Sequence, residues 1–219
     1  MSNEGLSSSV KRSGAGWEEN PYYANAEKYT PVFWGEGTLF RQLFARLQLD
    51  AVLELACGHG RHSFQIKDKA KKLILMDIHE SNIAASQRRL AGHPDCTILL
   101  NNGYDFQPVA NESLTAIFCY DAMVHFEPEL VESYIKDSAR VLKPAGMALF
   151  HHSNLIPPEG NTYGQNPGWR NRMNQLLFQR HVVDAGLCVL HSTVISWGGV
   201  AELDCVSLIQ KPAKRGPAK

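Results

Sequence analysis

Residues 52–63, "VLELACGHGRHS", run from an apolar, strand-like stretch through a turn with two glycines into a helix-like segment. Without Cβ atoms, Gly58 and Gly60 tolerate positive φ and let a ligand approach the backbone. A helix opening near Arg61 would aim its amides at the same space and favour an anion. Asp77 closes the next apolar run, "KLILMD". A carboxylate there is placed to accept from both hydroxyls of a ribose, and it suits a helix N-cap equally well. Ile78 beside it offers an apolar face to a base. Three histidines at strand ends, His125, His151 and His152, carry the side chain best suited to removing a proton near neutral pH. His151 and His152 are adjacent in a strand, so they point to opposite faces. At most one of them serves a site on one face.

The elements that must hold these groups are legible as an alternation. Apolar strands fall at 51–56, 72–77, 96–101, 114–120 and 147–152, with helical stretches near 60–70, 79–92 and 127–142. Continuously apolar strands belong to a sheet covered on both faces, and strand–helix alternation makes that sheet parallel. After a loop at 155–168 and a helix at about 169–184, two further strands are separated only by "GGVAE" (198–202). So short a link makes a hairpin, not a parallel crossover. The expected fold is α/β and Rossmann-like: a seven-stranded mixed sheet with helices on both faces and a C-terminal antiparallel hairpin. One domain spans 17–211. Residues 17–50 form a helical N-terminal cap, 155–186 an acceptor-side loop and helix, and 1–16 and 212–219 read as disordered tails.

Composition narrows the partners. The chain has 22 basic and 22 acidic residues, with no dense basic run before the tail "KPAKRGPAK". That balance argues against nucleic acid and anionic membranes. No apolar run has the length of a membrane span, and the polar N-terminus has no secretory pattern. Five scattered cysteines favour a reducing, cytoplasmic setting. No ligand spacing demands a metal, even for a trio such as Asp121, His125 and His152.

Five ordered stretches, "LELACGHGR", "LMDIHESNI", "NGYDF", "FCYDAMVHF" and "ARVLKPAGMALFHHSN", resemble the motifs of the class I S-adenosylmethionine-dependent methyltransferases over about 34–211. The resemblance implies S-adenosyl-L-methionine as cofactor, with S-adenosyl-L-homocysteine as product. It implies that Glu54, Ala56, Gly58 and Gly60 surround the methionine part and that Asp77 holds the ribose. Ile78, Asn102, Gly103 and Tyr104 would flank the adenine, with Asn102 standing where Asp is more frequent. Tyr120 and Asp121 would meet the methionine amino group, and Trp34 would close over the cofactor. His125 lies where related enzymes often carry a histidine. The expected reaction is in-line methyl transfer to a small polar acceptor, a hydroxyl on a sugar-like or natural-product molecule, with a histidine removing the proton. Trp169, Arg170 and Trp197 would supply an aromatic wall and an anion contact. The alternatives are an N-methyltransferase, an NAD-dependent oxidoreductase and a non-catalytic cofactor-binding module. Ser63 in place of a third glycine, together with the hairpin, disfavours the oxidoreductase. The oligomeric state is left open, a homodimer among the options.

Overall fold

Apolar side chains of both parities along one strand can only be hidden in a sheet covered on both sides. The computed structural model describes residues 2–214. Its strands are β1 (Val52–Leu55), β2 (Leu73–Asp77), β3 (Cys96–Leu100), β4 (Leu114–Cys119), β5 (Leu142–Ser153), β6 (Cys188–Trp197) and β7 (Val200–Gln210). They form one sheet in the order β3-β2-β1-β4-β5-β7-β6. Strands β1 to β5 are parallel, Val52 lying opposite both Leu73 and Ala116, whereas β7 is antiparallel to β5 and β6. Every residue of β1 and β4 is buried, as befits the centre. The chain builds outward through β2 and β3, then returns to the other edge of β1 with β4. Strand order therefore reverses between β1 and β4, and sheets of this kind bind ligands beyond the carboxyl ends at such a reversal.

Because β7 is reversed, its first residues reach that same carboxyl edge, pairing Asp204 with Ser153 and Cys205 with His152. Strand β6 also ends there, at Trp197, and turns into β7 through Gly198 and Gly199 alone. Both have positive φ (57° and 82°), as a two-residue hairpin turn of this type requires.

The helices are α1 (Asn3–Gly14), α2 (Tyr22–Asn25), α3 (Thr30–Trp34), α4 (Leu39–Phe44), α5 (Arg61–Phe64), α6 (Glu80–Arg89), α7 (Pro128–Val141) and α8 (Gln175–Asp184). On one face Tyr134 and Ile135 of α7 and Phe178 of α8 pack on Leu53, Ile117 and Phe150. On the other, Phe33, Phe40 and Phe44 of the cap pack on Val52, Phe118 and Leu149. No helix of the described residues is long and apolar enough to cross a membrane.

Three expectations are corrected. Residues 3–14 are a helix, not a disordered tail. Ser2 caps α1 through Gly5 N (3.4 Å), and Arg12 and Ser9 bind Glu127 and Glu129 at the start of α7 (Arg12 Nε to Oε1, 2.7 Å; Ser9 Oγ to Oε1, 2.5 Å). Helix α5 is a single turn rather than a helix to residue 70, so it offers little dipole to an anion. Helix α8 starts at Gln175 because the N-cap Asn174, accepting from Leu177 N (2.8 Å), is where the chain first closes helical bonds. Of the C-terminal tail, residues 212–214 carry no regular structure and Lys214 reaches Glu112 (2.9 Å); residues 215–219 lie outside the described residues.

Candidate active site

The turn after β1 holds three residues in the left-handed region: Ala56 (φ 54°), Gly58 (φ 53°) and Gly60 (φ 71°). At Gly58 the side chain is forbidden twice. A Cβ would lie 2.8 Å from Cε1 of Tyr23, whose ring covers the turn and stacks on His59 (4.6 Å between centroids). Gly60 instead faces inward, its missing Cβ making room for Ser86 at 3.0 Å. Asp77 fixes the turn. One carboxylate oxygen accepts from Gly58 N (2.9 Å), the other from His79 N and Asn82 Nδ2 (both 3.0 Å).

These groups line a cavity at the carboxyl ends of β1, β2 and β4, reaching from Ile78, Gly103 and Asp77 to Tyr120, Asp121 and His125. Its cover is the N-terminal segment. Val10, Ser13 and Gly14 of α1 sit over Ile78 and Gly103, and Trp17, Tyr22 and Tyr23 close the rest. Along its wall, Ser13 Oγ and His79 Nε2 are buried with no hydrogen-bond partner. Buried orphans of that kind cost free energy until a ligand satisfies them. Together with the glycine cradle, they fit a group with a polar base and sugar, as S-adenosylmethionine has.

A second space, an open groove of about 830 Å³, lies beyond the first. The two share Trp17, Tyr22, Asp121 and His125 as a common wall. Asp121 is held in the left-handed region (φ 58°) by its surroundings. Its carboxylate accepts from Tyr22 OH and Arg61 Nη2 (3.5 Å), and its backbone N–H donates to Nδ1 of His151 (3.2 Å). Burial and the Asp121 charge push the Tyr22 phenol up.

Since Nδ1 of His151 accepts, its Nε2–H donates to Asp204 Oδ2 (2.9 Å). Arg170 grips the same carboxylate with Nε (3.0 Å) and Nη2 (2.7 Å). Burial opposes the Asp204 charge, but hydrogen bonds from Arg170 and His151 overcome it and hold the carboxyl at about 2. The adjoining Trp169 carbonyl accepts from His125 Nδ1 (2.8 Å). This fixes the tautomer and leaves Nε2 of His125 without a protein partner. Burial lowers the His125 pKa to about 4, so the ring is neutral at pH 7.

The structure brings Ala56, Gly58, Asp77, Ile78, Gly103, Tyr120, Asp121 and His125 to the cavity wall. It places other candidates elsewhere. Glu54 lies behind the turn, accepting from Ser63 N (2.9 Å) and Ser63 Oγ; burial raises its carboxyl to about 7 against those hydrogen bonds. Asn102 is exposed and closes a turn onto Tyr104 N (3.0 Å), so Asn101, one residue earlier, lines the cavity in place of Asn102 and Tyr104. Trp34 donates to His62 Nδ1 (3.0 Å) within the core, and the cover falls to Trp17, Tyr22 and Tyr23. His152 faces the other side of the sheet, stacked on Phe178 at 3.8 Å. His151 is buried behind Asp121 and supports it. Arg170 and its guanidinium serve Asp204 rather than an anion. Among the described residues no cluster of His, Cys, Asp or Glu is arranged to hold a metal ion. The sequence reading missed Ser13, Tyr22 and Tyr23 because their segment lacks periodicity. Arg61 it passed over although it adjoins the glycine turn.

The family model described as "Methyltransferase domain" matches residues 52–146. The chain is 25% identical over 185 residues to a Mycolicibacterium smegmatis protein ascribed S-adenosylmethionine-dependent methyltransferase activity, covering 82% of this chain and 70% of that protein. It is 24% identical over 107 residues to the Bacillus subtilis protein YqeM, also ascribed methyltransferase activity. That match covers 48% of this chain and less than half, 43%, of the length of YqeM. Among solved structures, the geranyl diphosphate C-methyltransferase of Streptomyces coelicolor, in complex with Mg2+, geranyl diphosphate and S-adenosyl-L-homocysteine, superposes with a TM-score of 0.64 at 12% identity. The superposition covers 78% of this chain and 77% of that one.

Proposed function

We propose that the chain is a class I S-adenosylmethionine-dependent methyltransferase and that it methylates a hydroxyl group of a small molecule held in the open groove. The observation that carries the reading is the common wall. One side is the glycine-and-carboxylate cavity suited to the cofactor, the other an open space suited to an acceptor, and His125 and Asp121 border both. Asp77, Gly58 and Ile78 hold the nucleoside, with Asn101 and Ser13 at the base, and Tyr120 and Asp121 face the amino acid end. S-adenosylmethionine held there would supply an electrophilic methyl on its sulfonium, the acceptor oxygen gaining the O–C bond as the S–C bond breaks and its electron pair stays with sulfur.

The protein's part is positioning and one proton. His125 presents a neutral Nε2 to the acceptor hydroxyl and takes its proton; the Trp169 carbonyl keeps Nδ1 protonated and the ring in place. Asp121, backed by Arg170, Asp204 and His151, orients the boundary and offsets part of the imidazolium charge. Calorimetry with S-adenosylhomocysteine tests the cofactor half: micromolar binding is expected, reduced at least about tenfold in Asp77→Ala, since both hydrogen-bonding oxygens are lost. Absence of binding in the wild-type protein refutes the reading.

A further inference from the structure

We propose that the acceptor is a neutral, flat, ring-bearing compound with an acidic hydroxyl, a phenol or hydroxylated heteroaromatic, and not a phosphorylated molecule. The inference rests on the methyl-transfer reading and assigns the acceptor class to the groove.

The groove's walls are aromatic. Trp17, Tyr22, Tyr29, Phe40, Trp169 and Trp197 line it, and Trp169 and Tyr29 are each 41% exposed. Trp17 meets Trp169 edge-on (centroids 5.6 Å, 71°), as Trp197 meets Phe40 (6.0 Å, 73°). Ring faces presented this way suit stacked or edge-to-face contact with another ring.

The charged side chains at the groove, and the Asn20 amide, are committed within the protein. Asn20 donates to Gly16 O (2.6 Å) and accepts from Tyr22 N (2.9 Å). The Arg170 guanidinium is committed to Asp204 and to Gly168 O (2.9 Å). The Asp121 carboxylate is shared by Tyr22 and Arg61. Among the described residues, Tyr29 OH, Ser196 Oγ, His125 Nε2 and the indole N–H groups of Trp17, Trp169 and Trp197 have no protein hydrogen-bond partner, and none of them is a cation. A phosphate or carboxylate would meet no free positive charge, which disfavours it on desolvation grounds.

The base agrees with this choice. A phenolic hydroxyl ionises near pH 10 in water, far more readily than a hydroxyl resembling water's own, near 15.7. A buried imidazole of low basicity, as at His125, can assist the first and is poorly matched to the second.

The test uses the full chain saturated with S-adenosylhomocysteine, following tryptophan fluorescence. 2-Naphthol is titrated against 2-naphthyl phosphate, methyl glucoside and UDP-glucose, with methyl-tritiated S-adenosylmethionine as a second readout. The proposal expects saturable quenching by 2-naphthol, at least about tenfold weaker binding of the phosphate, and no methylation of either sugar. Trp169→Ala, at an exposed position whose carbonyl contact to His125 survives, should weaken naphthol binding about three- to tenfold and leave S-adenosylhomocysteine affinity unchanged. Binding or methylation of a sugar without naphthol binding overturns the acceptor class and leaves the methyltransferase reading standing. Equal binding of naphthol and its phosphate, no naphthol binding, or indifference to Trp169→Ala also overturns it. Failure to bind S-adenosylhomocysteine overturns both.

Discussion

Gly58 is the residue on which the cofactor cavity depends most directly, because its backbone and its missing side chain answer two separate demands. Alanine there must adopt φ near 53° and push its Cβ against the Tyr23 ring. The left-handed conformation alone costs roughly 1–2 kcal/mol, about 2–8 °C in Tm for a chain of this size. Gly58→Ala should therefore remain folded yet bind S-adenosylhomocysteine at least about tenfold more weakly, since Tyr23 must move and Asp77 loses its aligned amide. Calorimetry alongside thermal melting separates the two effects; equal affinity would show that the turn does not touch the ligand. Asp204 is the opposite case, a residue whose charge is needed far from any ligand. Asp204→Asn leaves Arg170 buried and unpaired, with an expected cost of about 3–5 kcal/mol, read as a lowered urea midpoint. Because Asp204 also holds the donor tautomer of His151, the support under Asp121 loosens with it.

Among the elements, α1 shows how a polar sequence can still be an ordered part of a site. Its small residues, Ser9, Ser13 and Gly14, are buried by docking on α7, Ile78 and His79, while Arg12 latches to Glu127 with two hydrogen bonds (2.6 and 2.7 Å). Removing residues 2–16 should leave the sheet intact, since α1 belongs to neither apolar layer. It should weaken S-adenosylhomocysteine at least about tenfold by uncovering Ile78 and Gly103. Arg12→Ala, breaking an exposed and hence weak ion pair, should only speed dissociation a few-fold in stopped-flow experiments. Unchanged affinity in the truncation would mean that α1 is no cover. This helix marks the limit of what the sequence discloses. Strands β1, β2 and β4 announce themselves because apolar residues fill both parities of each but for Glu54, Asp77 and Thr115, and the hairpin because Gly198 and Gly199 leave no room for a crossover. Asp77 and the glycine turn are local patterns, and so are legible. The Asp204–His151–Asp121 chain joins three strands through an antiparallel register, and no spacing along the chain encodes it. Composition makes 1–16 look disordered because docking, not periodicity, orders the helix Asn3–Gly14 within it.

At the scale of the whole molecule, burial of titratable groups sets how stability follows pH, and here two opposite contributions meet. His125 and His152 have folded pKa values of about 4 and about 3 because burial disfavours their charged rings. Below about pH 6.5 the unfolded chain takes up protons that the fold refuses, so this stability is complete above that pH and is lost as pH falls. At pH 5 the loss is about 2 kcal/mol for each ring. His62, also pushed down by burial, adds in the same direction. Glu54 acts in reverse. Its carboxyl, raised by burial to about 7, holds a proton in the fold that the unfolded chain has released, so its contribution is greatest below the ordinary carboxyl range and fades as pH rises through 7. Between pH 7 and pH 5 it returns about 2–3 kcal/mol. The wild-type protein should accordingly lose at least about 1–2 kcal/mol over that interval, more by whatever His62 adds. Glu54→Gln keeps an acceptor for Ser63 and removes the titration, so its loss should steepen to about 4 kcal/mol or more. Urea midpoints of both proteins at pH 7 and pH 5 decide the matter. Parallel slopes would mean that Glu54 is ionised in the fold, held by Ser63 and by the Arg61 charge nearby. In that case the residue behind the glycine turn is a standing negative charge facing the cofactor loop, and the S-adenosylhomocysteine affinity of Glu54→Gln would fall with it. A steeper slope with unchanged affinity would make Glu54 a neutral strut of the fold.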